Sequence, residues 1–214
     1  MDFEALSTAV QKGKVKDVKA IVTQALEENV PVKQILEEGL IAPMGIVGEN
    51  FRTNKIFIPE MLVAARAMSA GVKIIEPLFS ESGVEAMGTV VIGTVRGDLH
   101  DIGKNLVAMM LKGAGFEVYD IGIDVPEEKF AEKAEEVNAD IVCLSALLTT
   151  TMPAIGDTIK EFEKRGVRDK YHIMIGGAPV SQAFADEIGA DCYTDNASDA
   201  AEHAKEYMLA KKAG

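Results

Sequence analysis

The sequence predicts an α/β protein in two parts: a helical bundle over residues 1–85, then a five-stranded parallel sheet covered by helices over residues 86–214. Three observations predict it. Apolar residues recur at three-and-four spacing through about the first 80 residues. A polar, glycine-containing stretch follows at residues 80–88 (SESGVEAMG). From Thr89 onward, short β-branched runs alternate with helical stretches. The length agrees, since 214 residues at roughly 150 per domain make one large domain or two small ones.

Asp2 is placed to cap a first short helix that ends at Gly13. Val15, Val18, Ile21, Val22, Ala25 and Leu26 form the apolar stripe of a second, which stops near Asn29. Pro31 suits the first turn of a third helix, whose face of Ile35, Leu36, Leu40 and Ile41 runs to an expected interruption at Pro43 and Gly45. Pro59 opens a fourth, striped by Met61, Leu62, Ala65, Met68, Val72 and Ile75. Four such stripes on short connections suggest a small bundle. Between the last two lies FRTNKIFIPE, residues 51–60, read as a loop rich in large apolar groups.

The second part begins with TVVIGTV and continues with a helix from about Ile102 to Lys112, FEVYDIG, a helix from Glu127 to Val137, and IVCLSAL. A helix from about Ala154 to Arg165 precedes HIMIGG; one from about Ser181 to Ile188 precedes the weak strand ADCYT, and a terminal helix runs from about Ser198 to Lys211. Parallel neighbours need crossover connections, so the helices belong on both faces of one sheet. The strands are continuously apolar, as burial on both faces requires. The expected architecture is Rossmann-like, of the flavodoxin-like type.

Composition narrows the function. A 48% hydrophobic and 26% charged chain is ordinary globular protein, which excludes disorder. A net charge of -12 with no basic patch argues against nucleic acid and against anionic membrane surfaces. No apolar run approaches the 18 or more residues of a membrane span, and the acidic start does not read as a signal peptide, so a cytoplasmic protein is expected. Cys143 and Cys192 stand far apart without metal-ligand spacing, which fits a reducing compartment, and Cys143 reads as core. His172 and His203 lack a ligand-like context and read as structural.

In open α/β sheets ligands gather beyond the carboxyl ends of the strands. The first strand runs into Asp98-Leu99-His100-Asp101-Ile102-Gly103. The third ends in Ser145-Ala146-Leu147 followed by Thr149, Thr150 and Thr151, and the fourth in Gly176-Gly177. Each piece has an ordinary reading. His100 can be structural, Asp98 can close an Asx turn, Thr151 can cap a helix ahead of Met152-Pro153, and Gly176-Gly177 can be a turn. Together and in this order they resemble the corrinoid-binding proteins, whose motif reads D-x-H-x-x-G, then S-x-L, then G-G. In that family a four-helix bundle precedes the corrinoid domain, so the likeness spans nearly the whole chain. It is similar to the corrinoid subunits of methyltransferase systems and to the cobalamin-binding module of methionine synthase.

The resemblance implies cobalamin or a related corrinoid, methylcobalamin in the loaded state, with His100 as the lower axial ligand of cobalt. An imidazole is a good ligand for transition metals, and one that ligates usually donates its other N–H to a carboxylate. Asp98 would be that carboxylate, with Thr151 completing the relay. Asp101, Gly103, Ser145, Leu147, Thr149, Gly176 and Gly177 would line the cofactor site, Ser145 and Thr149 as hydrogen-bonding groups. Phe51 and Ile58 match the positions that cap the upper corrin face, where apolar groups exclude water; the ordinary reading of both is bundle core.

The implied function is a methyl carrier with no catalytic residue of its own. Its partners would be a substrate:corrinoid methyltransferase, a corrinoid:acceptor methyltransferase delivering to tetrahydrofolate or a thiol such as coenzyme M, and a reductive activase. A carrier must also expose its cofactor to each partner, which predicts a hinge at residues 80–88. Three other readings remain: a mutase module using adenosylcobalamin, a cobalamin-responsive regulator, and a phosphoacceptor receiver. Against them stand the bundle with its Phe51 loop, the missing basic recognition element, and Ser145 where a receiver needs an acid.

Overall fold

Asp2 accepts the Ala5 amide at 2.9 Å and so caps α1 (Phe3–Gln11), while α2 (Val15–Glu27) turns Val18, Val22 and Ala25 into the core. The computed structural model describes residues 1–82 and 85–213. It divides between Ala86 and Met87 into two units, with Gly113–Gly115 grouped with the first.

In the first unit the chain after Pro31 is helical without a break as far as Arg52. It passes through α3 (Val32–Gln34), a π-helical segment Ile35–Ile41, and α4 (Ala42–Arg52). The expected interruption at Pro43 and Gly45 is therefore corrected. A proline inside a helix lacks its N–H and crowds the carbonyl four residues back. Here bonding has already widened to five residues, as in Ala42 N–H to Glu37 O, and the residue four back from Pro43 is Gly39. The apolar loop also shrinks. Phe51 lies in the last turn of α4, and Ile58 is the first residue of α5 (Ile58–Ile75), so only residues 53–57 connect the two helices. Pro59 sits in the first turn of α5, as expected, and the Phe57 amide donates to the Glu60 carboxylate at 3.0 Å. A 3₁₀ turn (Glu76–Leu78) and α6 (Phe79–Ser82) follow. Of the expected hinge at residues 80–88, Gly83 and Val84 lie outside the described residues.

The second unit alternates as expected: β1 (Thr89–Thr94), α7 (Ile102–Gly113), β2 (Glu117–Asp120), α8 (Glu127–Glu136), β3 (Ile141–Ser145) and α9 (Met152–Lys164). Then come a 3₁₀ turn (Arg168–Lys170), β4 (His172–Gly176), α10 (Gln182–Ile188), β5 (Cys192–Tyr193) and α11 (Ala197–Ala213). All pairings are parallel and the strand order is β2-β1-β3-β4-β5. Val91, Val142, Leu144, Ile173 and Ile175 on one face join Phe130, Ile155, Ile159 and Phe162 in a single buried cluster. On the alternate positions, Ile92, Cys143, Met174 and Cys192 stand in register across four strands. Among the described residues no helix is long and apolar enough to cross a membrane.

This order positions the site. From β1 the chain goes to β2 on one side, and from β2 it crosses back to β3 on the other. The crevice beyond the carboxyl ends of β1 and β3 is therefore the switch point where such sheets bind ligands.

Candidate functional site

Asp98, four residues beyond β1, has no exposed surface at all. One of its oxygens accepts the His100 amide at 3.0 Å and the His100 Nδ1 at 2.7 Å. The other accepts the Thr151 hydroxyl at 2.6 Å, the Leu147 amide at 2.7 Å and the Leu148 amide at 3.3 Å. Burial alone would push this carboxyl up. The Thr151 hydroxyl, the Leu147 and His100 amides and the His100 ring outweigh burial and hold it well below the usual carboxylate range. Asp98 is thus an anion in the interior, held by donors from both sides of the switch point.

That charge settles the histidine tautomer. An ionised carboxylate only accepts, so Nδ1 must carry the hydrogen, and in the neutral ring Nε2 then presents its lone pair. The His100 side chain is 49% exposed, and among the described residues Nε2 has no hydrogen-bond partner. The site therefore offers one oriented imidazole nitrogen to solvent.

Thr151 does stand at the N-cap of α9, but its hydroxyl makes no cap bond. Its hydrogen goes to Asp98, and the Leu148 carbonyl lies 2.9 Å away. Ser145 ends β3, half-buried, in register between Thr94 and Gly176. Leu147 and Thr149 are exposed in the following turn, close to Asp98 through the Leu147 amide. Asp101 and Gly103 are exposed beside His100; a Cβ on Gly103 would meet nothing within 4 Å. Gly176 ends β4, and Gly177 follows with φ +136°, where an added Cβ would fall 1.7 Å from the Ala146 carbonyl oxygen. Only glycine fits there. Phe51 is half-buried and Ile58 is 42% exposed, both in the first unit.

Two groups that frame the motif have no local sequence signal. Thr94, fully buried at the end of β1, donates its hydroxyl to the His100 carbonyl at 2.8 Å. Asp124, in the left-handed region at φ +52°, accepts the Gly97 amide at 2.7 Å and donates its own amide to the Asp98 carbonyl at 3.0 Å. Asp124 reaches the motif from the segment after β2, a proximity the local sequence does not reveal, whereas Thr94 acts on the turn after its own strand, six residues away.

Residues 88–205 match a B12 binding domain, and residues 2–76, within the helical unit of this chain, match a second B12 binding domain. The chain belongs to the B12-binding corrinoid proteins. A dimethylamine corrinoid protein of Methanosarcina acetivorans is 49% identical over 212 residues, covering 98% of this chain and 97% of the relative. Among solved structures, the methanol:cobalamin methyltransferase complex of Methanosarcina barkeri matches with a TM-score of 0.87 at 29% identity, covering 97% of this chain and 79% of that one. A cobalamin-binding protein of Desulfitobacterium hafniense matches with a TM-score of 0.77 at 30% identity, over 97% and 98% of the two chains. The cofactor of this corrinoid protein is cobalamin or a relative of it, with cobalt at its centre.

The residues present fit that cofactor. Among the described residues no group of three or more His, Cys, Asp or Glu can hold a metal ion. A lone imidazole suits a metal whose equatorial positions a macrocycle already fills. Around His100 the surface is apolar where water would favour polar groups: Leu99 is 67% exposed, Ile102 74%, and Leu147 and Leu148 about as exposed as Ile58. A flat, largely apolar ring is the kind of ligand that would cover such side chains.

Proposed function

We propose that this corrinoid protein is the methyl-carrying subunit of a methyltransferase system whose donor is a methylated amine, dimethylamine first among them. The observation that carries it is the relay from Thr151 through buried Asp98 to His100, which leaves one imidazole nitrogen with a lone pair suited to a metal. The identity to the dimethylamine corrinoid protein across nearly the full length of both chains supports the donor class.

When bound, the corrinoid supplies a cobalt centre that can take up and give away a methyl group. The protein supplies the rest. His100 Nε2 would hold the cobalt, and Asp98 keeps the proton on Nδ1, strengthening the imidazole as a donor. Thr151 and the Leu147 amide keep Asp98 ionised. Asp101, Gly103, Ser145, Leu147, Thr149, Gly176 and Gly177 line the cofactor site, and Phe51 and Ile58 of the helical unit serve as water-excluding groups. The division at residues 85 and 86 is assigned as the functional one.

The partners are two methyltransferases, one for the amine and one for the acceptor, and a reductive activase. Neither nucleic acid nor membrane is among them, in keeping with a net charge of -12, and the protein is assigned to the cytoplasm.

The test loads the full chain with hydroxocobalamin. The bound cofactor should show the spectrum of an imidazole-ligated corrinoid, and His100→Gln should abolish that signature. Paired with a dimethylamine:corrinoid methyltransferase, the reduced holoprotein should become methylated by dimethylamine. A spectrum indifferent to His100→Gln overturns the ligand assignment. Methylation from methanol but not from dimethylamine overturns the donor class.

A further inference from the structure

The residue after Gly103 is a lysine that solvent scarcely reaches. The Lys104 side chain is 3% exposed, and its ammonium pairs with Asp120 at the end of β2 and donates to Asn105 Oδ1 at 2.7 Å. Burying an ammonium is costly unless it is paired and hydrogen-bonded, and even then an apolar residue of the same volume often stabilises a fold as well. Stability alone is therefore a weak reason for a lysine here.

Both partners lead back to the motif. Asn105 donates its side-chain amide to Asp101 Oδ2 at 3.1 Å and its backbone amide to the Asp101 carbonyl at 2.8 Å. Asp120, through its other oxygen, accepts the Gly122 amide at 3.0 Å. The Gly122 carbonyl accepts the Thr94 amide at 3.0 Å, and the Thr94 hydroxyl donates to the His100 carbonyl at 2.8 Å. Two hydrogen-bonded routes thus run from one ammonium to the adjacent residues His100 and Asp101. Between the clamps lies the exposed stretch from Leu99 to Gly103.

We propose that Lys104 is a positioning residue of the corrinoid site: through Asp120 and Asn105 it fixes the backbone that carries His100 and Asp101. The inference rests on the proposal that His100 would hold the cobalt. Outer groups that orient a metal ligand are typically worth 10–100-fold in affinity. Lys104 stands further out than Asp98, so the lower end, roughly tenfold, is expected.

Lys104→Met removes the ammonium and keeps the length of the stem; Asp120→Asn keeps the shape of a residue that is 32% exposed. Two readouts apply. In the cofactor-free chain, Lys104→Met should speed hydrogen exchange at the His100 and Asn105 amides about tenfold and leave the Val142, Cys143 and Leu144 amides of β3 unchanged. In the hydroxocobalamin-loaded chain at fixed pH, the ratio of imidazole-ligated to unligated cofactor should fall about tenfold. The double variant Lys104→Met/Asp120→Asn should regain the stability lost by Lys104→Met but keep the altered ratio. Should Lys104→Met fail to fold, the double variant carries the same two predictions. Exchange that quickens equally in β3 and in the motif, with an unchanged cofactor ratio, overturns the proposal. If the wild-type spectrum itself does not depend on His100, the ligand assignment falls and this inference with it. If it does depend on His100 and Lys104→Met retains the ratio, only the inference falls.

Discussion

Replacing Thr151 by valine keeps the shape of the side chain and deletes one hydroxyl from a carboxylate that has no exposed surface. The bond lost is short, 2.6 Å, and its acceptor is charged. Hydrogen bonds to charged groups contribute about 1.5–3 kcal/mol. The Leu147 and Leu148 amides still hold the same oxygen, which places the loss in the lower half of that range, at about 2 kcal/mol. Native-state hydrogen exchange at the β3 amides reports the opening of the sheet unit by itself. Where reclosing outpaces exchange, 2 kcal/mol corresponds to roughly thirty-fold faster exchange at neutral pH. Thr151→Ser should restore most of the protection, and Thr150→Val, at an exposed neighbour, should change nothing. The sign with pH follows from Asp98. Its carboxyl is lowered in the folded chain, so its contribution is complete above the unfolded value near 3.9 and declines as pH falls toward the folded value. Valine lets the folded value rise, so the gap between variant and wild type should narrow as pH drops from 7 toward 2. A neutral-pH difference under about 0.5 kcal/mol, or one matched by Thr150→Val, refutes the argument that this hydroxyl helps to keep Asp98 ionised.

Gly177→Ala places a Cβ against the Ala146 backbone at a φ that alanine does not adopt; a loss of about 3 kcal/mol or more is expected by chemical denaturation, with Gly103→Ala, open on all sides, as the mild control. Burial pushes the Cys143 thiol up to about 12 and the Cys192 thiol to about 11. Both should therefore resist a disulfide reagent at pH 8 in the native chain and react within seconds once it is unfolded. Fast native modification of either would contradict their packing.

The alternation of strand and helix was legible because each piece declares itself locally: β-branched runs such as TVVIGT have no polar face to misread, and α9 carries its stripe in sequence. The strand ends were less legible, for a reason that bears on function. FEVYDIG and IVCLSAL read as strands to their last residues, yet β2 stops at Asp120 and β3 at Ser145. Asp120 turns its carboxylate back to the Gly122 amide, and the Leu147 amide leaves the ladder to bind Asp98. The chain leaves the sheet where it begins to build the site. The third helix was misjudged for a different reason, because Pro43 breaks an α-helix but not one already opened into π-helical bonding.

The site itself divides in the same way. Asp98 and His100 are two residues apart, and that spacing lets one carboxylate oxygen bind both the amide and the ring of the histidine, so the pair can be read from the sequence. Thr151, 53 residues beyond Asp98, is placed by resemblance alone until the topology sets β1 beside β3. Asp124 and Lys104 are silent in sequence because their meaning depends on β2 lying beside β1. A lysine in a chain that is 26% charged reads as solvated surface unless its burial is known. These silent groups share a purpose with the motif. A buried anion is unfavourable unless its donors are fixed, and here they come from the turns after β1 and β3. The tautomer of His100, and with it the ring nitrogen left with a lone pair, is therefore set by the fold.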